Sequence, residues 1–192
     1  MYGISRMMEN FYDRLNHIAA RISSPELLTN KGLGNEIGFY IFDYPPEKEL
    51  EVRRHLDRIL EETSLKIAKV DLFRLIIDYL KDQQMLEASF EMQQTEGDKE
   101  LLSAFHGVIE GEVLAPLIAR AAQPEKQDLV IITGIGNSYP LIRTHDLLNN
   151  LQSLMKDKPL VVFYPGKYTG QTLSLFGQLK DQNYYRAFRL VS

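Results

Sequence analysis

The sequence predicts an α/β fold: a single three-layer domain, residues 1–192, with a mostly parallel sheet of about five strands and helices on both faces. Short apolar segments of strand length alternate along the chain with longer segments of helical periodicity, which is typical of parallel sheets built from crossover connections. The strand segments are apolar almost throughout, as expected for strands covered on both faces. This pattern predicts a P-loop-like topology, although the chain has no phosphate-binding loop motif.

The first half supplies a helix, two strand–helix units and the loops between them. Apolar residues recur three and four positions apart from Phe11 to Ile22, which indicates one face of a helix. Pro25 ends that helix, because the residue before a proline is disfavoured in helical geometry. The predicted elements are a helix over 6–23, a short helical turn over 25–28, a loop over 29–36, a strand over 37–43, a helix over 47–62, a strand over 66–71 and a largely buried helix over 72–80.

A helical insertion over 85–122 separates the second and third strands. It begins with a short helix and a loop over 85–98 and continues as a helix over 99–122, with a break suggested by Gly111 and Pro116. Residues 85–112 carry seven acidic side chains and one basic side chain, a net charge of −6. We expect this acidic segment to be peripheral and solvated, since charge of one sign is stable only in contact with water or with partners.

The last third contains the clearest strand, 128–133, followed by a glycine turn at 134–137. Ser138 is a natural N-cap and Pro140 fits a first helical turn, so a helix is predicted from there to about residue 155. The remaining predictions are a strand over 159–164, a loop over 165–170, a short helix over 171–178 and a strand over 184–191.

Composition narrows the class of protein. The 192 residues carry a net charge of −4, with 44% hydrophobic and 25% charged residues, and include no Cys or Trp. A disulfide framework, a thiolate nucleophile and a Cys-based metal site are therefore excluded. No apolar run approaches the length of a membrane span and no signal-peptide pattern opens the chain, so a cytoplasmic protein without membrane contact is expected.

Ligands of open α/β sheets bind outside the carboxyl ends of the strands, and three such ends are polar or glycine-rich here. The candidate partner- or ligand-binding residues at these ends are Asp43, Gly134, Gly136, Asn137, Ser138, Gly166, Lys167, Gly170 and Gln171. The helix after the glycine turn adds Arg143, His145, Asn149 and Asn150, and the last strand adds Arg186. Arg143 and Asp146 are spaced for an ion pair on one helix face.

The motif tests for catalysis fail. No window matches the Walker A pattern, and the third glycine of a dinucleotide fingerprint is replaced by Tyr139. We therefore expect no catalytic residue, cofactor or metal, although a hydrolase site around Asp43, Arg143 and His145 stays open. A nucleotide- or nucleic-acid-binding protein that uses the loops after the third and fourth strands is the alternative reading, since aromatic and basic residues are interleaved after residue 160. Direct nucleic-acid binding is the less favoured part of that alternative.

Three long segments of the chain have a distinctive sequence: LTNKGLGNEIGFYIFDYPPEKELEVRRHL, TGIGNSYPLIRTHDLLNNLQ and VVFYPGKYTGQTLSLFGQLKDQNYYRAFRLV. These segments resemble the BrxB family, a bacterial domain family of BREX anti-phage systems. The resemblance implies a non-catalytic core component of a bacteriophage-resistance system and an interaction module for its other proteins. The partners it implies are a PglZ-type phosphatase-like protein first, then a BrxC-type ATPase and a PglX-type methyltransferase, with a homodimer left open.

Overall fold

A parallel sheet organises the computed structural model, which describes residues 10–30, 38–180 and 183–192. Its strands are β1 (Phe39–Tyr44), β2 (Ile67–Asp71), β3 (Leu129–Thr133), β4 (Leu160–Tyr168), β5 (Leu173–Leu175), β6 (Leu179–Lys180) and β7 (Phe188–Arg189). The parallel strands lie in the order β2-β3-β4-β1-β7. Strands β5 and β6 extend the end of β4 as short antiparallel strands. The predicted mostly parallel sheet is confirmed.

Helices cover both faces of this sheet. They are α1 (Ile18–Ile22), α2 (Pro25–Leu28), α3 (Glu49–Glu62), α4 (Leu72–Asp82), α5 (Leu86–Thr95), α6 (Asp98–Phe105), α7 (Gly111–Ala122) and α8 (Thr144–Leu151). Residues 10–16 are also helical, and 3₁₀ turns span Pro46–Lys48 and Pro124–Lys126. Within the described residues, no helix has the length and apolarity needed to cross a membrane.

The two cores follow from the alternation of side chains along each strand. On one face, Ile41, Val130 and Val162 pack with apolar residues of α4, α7 and α8. On the other face, Phe42 and Phe163 pack with α3 and with the N-terminal helices. Because successive strand residues point to opposite faces, burial of both sets requires helices on both sides. The three-layer α/β architecture is therefore confirmed.

The C-terminal part differs from its prediction. The predicted loop over 165–170 is wrong at its start, because β4 continues to Tyr168 and pairs with β5. The predicted helix over 171–178 is also wrong: Leu173 and Leu175 are buried two residues apart, which is the period of a strand. The predicted strand over 184–191 is reduced to Phe188–Arg189. In this region short strands pair with a neighbour that local periodicity does not reveal.

The helix predicted from Ser138 begins later than expected. Residues 135–141 form consecutive turns, and α8 spans only Thr144–Leu151. Ser138 is not an N-cap, because its hydroxyl donates to the carbonyl of Gly134 at 2.9 Å. The polar, proline-containing segment satisfies its own main chain through turns such as Leu141 N to Ser138 O at 2.8 Å, so no helix is needed there.

The insertion is helical as predicted, and the break suggested by Gly111 separates two helices. Residues 99–122 form two helices, α6 and α7, and the second begins at Gly111. All seven acidic side chains of residues 85–112 are exposed, and α5 buries none of its residues. The expectation of a solvated acidic segment is confirmed. Helix α4 buries one stripe only, Leu72, Ile76 and Leu80, rather than all its sides. Residues 6–9 and 31–37 of the predicted helix, loop and strand lie outside the described residues.

Candidate functional site

The carboxyl ends of β1 and β4 enclose a cavity of about 590 Å³. The chain leaves β1 for α3 on one face of the sheet, whereas the segment after β4 packs on the other face. Because the connections after β1 and β4 leave on opposite faces of the sheet, a crevice opens between the ends of the two strands. Ligands of open α/β proteins bind in such crevices. Three predicted residues, Asp43, Gly166 and Lys167, line this crevice together.

Asp43 is buried in the crevice and engaged on both carboxylate oxygens. Oδ1 forms an ion pair with Arg14 Nη2 at 2.6 Å and a longer one with Arg189 Nη1 at 3.4 Å. Oδ2 accepts a hydrogen bond from the Tyr168 main-chain N–H at 2.9 Å. Arg189 also donates to the Tyr168 carbonyl, and Arg14 donates to that of Val191. Asp43 therefore ties the N-terminal helical layer and β7 to the centre of the sheet.

Sequence reasoning missed both arginines. Arg14 lies three residues after Phe11 and four before Ile18, on the apolar face of the predicted helix. A cation on such a face is a signal for a buried acidic partner, because an unpaired charge is costly to bury. Arg189 carries no comparable local signal, since its partner is 146 residues away in the sequence.

A second polar network runs along the same edge of the sheet. The Tyr44 hydroxyl donates to Glu49 at 2.6 Å, Glu49 pairs with Arg53 at 2.5 Å, and Arg53 reaches Asp71 at 3.6 Å. Burial, together with the neighbouring Glu49 carboxylate, raises the pKa of Tyr44 far above its usual value, so the phenol stays a neutral donor. Asp57 is spaced for an ion pair with Arg53 but pairs with Lys69 instead.

The glycine turn after β3 serves close packing. Gly134 has φ +77°, and a Cβ there would lie 2.5 Å from Asp71 Oδ1, which itself caps α4 through Arg74 N. A Cβ at Gly136 would lie 2.8 Å from the Pro165 ring and 3.1 Å from Phe176. Close packing against Asp71 at Gly134, and against the β4–β5 hairpin at Gly136, therefore needs glycine at these positions. Asn137, which follows Gly136, is exposed.

That contact brings two exposed aromatic rings together. Tyr139 and Phe176 meet edge to face at a centroid distance of 6.3 Å, and 47% and 37% of their surfaces remain exposed. Leu179, 40% exposed, lies in the same groove as Tyr139. We call Tyr139, Phe176 and Leu179 the aromatic patch. None of these three residues is among the predicted candidates, because each is an ordinary apolar residue in its local segment.

The candidates on α8 are separate from the crevice. Arg143 is exposed and borders the groove of the aromatic patch. Its expected ion pair with Asp146 is not formed, since the Asp146 carboxylate accepts from Gly111 N at 2.7 Å and from Asn150 at 3.4 Å. His145 packs its ring edge on Tyr185 and pairs through Nε2 with Asn149 at 2.9 Å. These contacts fix α8 and its neighbours.

The remaining candidates lie around the β4–β5 turn. Gly170 has φ +94° with open space around it, and the carbonyl of Gln171 accepts from Tyr185 N at 2.8 Å. Arg186 is exposed. None of the three lines the crevice. The structure thus unites Asp43, Gly166 and Lys167, places Gly136 and Arg143 beside the aromatic patch, and leaves these three at the periphery.

The fold and its strand ends define a class: a three-layer α/β domain whose strand-end carboxylates are paired with arginines. Within the described residues, no group of three or more His, Asp or Glu side chains is arranged to hold a metal ion. The family model described as "BREX protein BrxB" matches residues 68–190. The chain therefore belongs to the BrxB family of BREX proteins.

Two curated relatives match nearly the whole chain. One, a BREX protein BrxB of Bacillus cereus (strain H3081.97), is 39% identical over 192 residues, covering 96% of this chain and 99% of the relative. The other, a BREX protein BrxB of Escherichia coli O9:H4 (strain HS), is 43% identical over 180 residues, covering 93% of this chain and 90% of the relative. No solved structure matches the chain.

Proposed function

We propose that this protein is a non-catalytic interaction module of a BREX bacteriophage-resistance system and that it docks a partner through the aromatic patch. The observation that carries the proposal is the exposed Tyr139–Phe176 pair, edge to face at 6.3 Å. The two rings lie in two of the three segments that resemble the BrxB family. Aromatic side chains held in place at a surface are the usual anchors of protein–protein interfaces.

The aromatic patch is held in place before any partner binds. The close approach at Gly136 fixes the turn that carries Tyr139 against the hairpin that carries Phe176. The Phe176 main-chain N–H donates to the Pro165 carbonyl at 2.9 Å. Side chains already ordered in the free protein lose little conformational entropy on binding, which favours this surface over a mobile loop.

Engaged side chains support a role without catalysis. Asp43 is neutralised by two arginines, the Ser138 hydroxyl donates to a main-chain carbonyl, and His145 pairs with Asn149 on its own helix. A nucleophile or general base needs a free lone pair within reach of a substrate. Asp43 lines the crevice between β1 and β4, whereas Ser138 is buried outside it and His145 packs against Tyr185, so the three groups do not meet in one cleft.

The partner that fits best presents an apolar segment with acidic residues beside it. Arg143 borders the groove at Tyr139 and Leu179, and Lys167 borders the crevice at Phe176, so cations flank the aromatic patch on two sides. Charges at the rim of an interface mainly steer association. We assign the PglZ-type protein as the first partner, and the BrxC-type ATPase and PglX-type methyltransferase as further ones.

Co-purification from cells that express the whole system tests the proposal. Tagged wild-type chain is expected to retain the PglZ-type protein, and the double variant Tyr139→Ala/Phe176→Ala to lose it, with a loss of phage resistance in the same cells. The matched control is Phe90→Ala, which removes an aromatic ring that is 55% exposed on α5. This control is expected to keep both partner and resistance.

Three results would contradict the proposal. The first is a double variant that keeps the partner and the resistance at the wild-type level, and the second is an equal loss of both in Phe90→Ala. Light scattering of the purified chain gives the third: a dimer that the double variant converts to a monomer would assign the aromatic patch to a second copy. Circular dichroism and the melting temperature of each variant show that its fold is retained.

A further inference from the structure

We propose that the crevice between β1 and β4 binds a small molecule that carries one phosphate monoester group. Arg14, Lys167 and Arg189 would hold the phosphate, and the apolar wall would hold the body of the molecule. This site is distinct from the aromatic patch and does not depend on partner docking, although Phe176 borders both.

The position and size of the crevice suit such a ligand. It lies at the carboxyl ends of two adjacent parallel strands whose connections leave to opposite faces, which is where open α/β sheets bind ligands. Its volume, about 590 Å³, lies inside the range of small-molecule sites, roughly 300–1,000 Å³. Phe11, Pro45, Pro46 and Phe176 form apolar walls. An inorganic ion alone would leave most of this space empty.

The charge of the lining side chains selects a phosphate monoester. Three cationic side chains, Arg14, Lys167 and Arg189, face one carboxylate, that of Asp43, so the lining carries a net charge of +2. A phosphate monoester carries about −1.5 to −2 at neutral pH. A single carboxylate would leave one cation without compensation, whereas a phosphate monoester balances the crevice.

The donors are already oriented. Arg14 is held by Asp43 and by the Val191 carbonyl at 3.1 Å, and Arg189 is held by Asp43 and the Tyr168 carbonyl. A guanidinium has five N–H donors, so each arginine keeps donors beyond these contacts. The exposed Lys167 ammonium forms no ion pair with the described residues and can move onto the phosphate.

The loop after β1 disfavours a nucleoside triphosphate. A phosphate-binding loop between a strand and a helix cradles its ligand with main-chain N–H groups. Here that loop begins with Pro45 and Pro46, which have no N–H to donate. The charge of a triphosphate would also exceed the two uncompensated cations. The crevice therefore fits one phosphate group attached to a compact body.

Calorimetric titration of the isolated full chain tests the site with matched probes. Glucose 6-phosphate and AMP are expected to bind and to raise the melting temperature, because a ligand of the folded state stabilises it. Glucose, glucuronate and adenosine, which lack the phosphate, are expected to bind at least tenfold more weakly, on the order of one charge-assisted hydrogen bond. ATP is expected to bind no more tightly than AMP.

Lys167→Ala is the informative variant, since its ammonium forms no ion pair with the described residues. It should weaken phosphate-monoester binding by about tenfold, whereas Lys99→Ala on α6 should leave it unchanged. Tyr139→Ala should keep the ligand and lose the partner, so the two proposals fail separately. Absence of binding by both monoesters, equal binding of glucuronate, tighter binding of ATP, or an unchanged affinity in Lys167→Ala would each overturn the assignment.

Discussion

The acidic segment, residues 85–112, and the carboxyl end of the sheet use charged residues in opposite ways. All seven carboxylates of the acidic segment are exposed to solvent. At the sheet edge, Asp43, Glu49 and Asp71 each meet an arginine, and two of these three pairs join different structural elements. In the sequence these regions differ in net charge. In the structure they differ in whether their carboxylates form ion pairs with arginines, and these ion pairs connect structural elements.

This contrast indicates where substitutions should matter. A solvated charge contributes little to stability and can be replaced, whereas a charge paired between buried elements fixes their positions. The aromatic patch and the crevice both lie at the paired end. We therefore expect stability, partner docking and ligand binding to be sensitive there and nearly insensitive in the acidic segment.

Gly166→Val is expected to have the largest effect. A Cβ at Gly166 would lie 2.2 Å from the Ser174 carbonyl oxygen, a main-chain atom that cannot move without separating β4 from β5. We expect the free energy of unfolding to fall by about 3 kcal/mol, as for severe overpacking, in urea denaturation. Gly107→Ala in the acidic segment, with open space but φ +82°, should cost only about 1 kcal/mol. Equal losses of unfolding free energy in the two variants would contradict the difference between the sheet edge and the acidic segment.

Asp43→Asn should have the second-largest effect on the free energy of unfolding. The variant keeps the shape and one acceptor but removes the charge that neutralises Arg14 and Arg189. Because Arg189 is one-third exposed, we discount the cost of breaking a buried pair to about 2 kcal/mol. Asp98→Asn, whose carboxylate is exposed, should change the free energy of unfolding by less than about 0.5 kcal/mol. A stable Asp43→Asn would remove the structural role of the pair.

His55, on α3, is neither solvated like the acidic segment nor paired like the sheet edge. Its Nε2 is buried without a hydrogen-bond partner among the described residues. Burial, then the nearby Arg58, lowers the pKa of His55 below its usual value of 6.5. The unfolded chain therefore binds more protons than the folded one, and stability falls as the pH drops through 6.5. His55→Gln should show a smaller decrease in melting temperature from pH 7.5 to 5.5 than wild type; equal decreases would contradict this.

Glu87→Gln/Glu91→Gln should have the smallest effect. Both carboxylates are exposed on α5, which buries no residue. Removing two like charges should change the free energy of unfolding by less than about 0.5 kcal/mol, as measured in urea, and should leave partner capture unchanged. Loss of the partner in this variant would move the docking surface to the acidic segment.

Local periodicity was reliable where a segment buries a whole face. The strands β1 to β4 and the buried face of α3 were predicted within a few residues, because their apolar patterns extend over several turns or alternations. The β4–β5 hairpin and the turns at 135–141 were mispredicted. Each is short: the hairpin depends on pairing between residues five to nine positions apart, such as Gly166 with Leu175, and the turns are closed by bonds three or four positions apart. No local pattern carries that information.

The candidate site was predicted from the position of residues at strand ends more than from the types of residue present. The rule that ligands lie beyond the carboxyl ends of strands selected Asp43, Gly166 and Lys167, which the structure places around one crevice. The cations that complete it, Arg14 and Arg189, are 29 and 146 residues from Asp43 in the sequence. Arg189 reaches Asp43 because β7 lies beside β1, and Arg14 reaches it because the N-terminal helices pack on the sheet, and no single segment reveals either arrangement.

The sequence by itself determined the layered α/β class, the solvated acidic segment and the similarity to the BrxB family. Each of these depends on local composition, on periodicity or on long contiguous segments. Only the tertiary structure decided the strand order, the pairing of Asp43 with two arginines and the meeting of Tyr139 with Phe176. These features join segments that are distant along the chain. Their energy depends on which strands become neighbours, and that choice is made by the packing of the whole core.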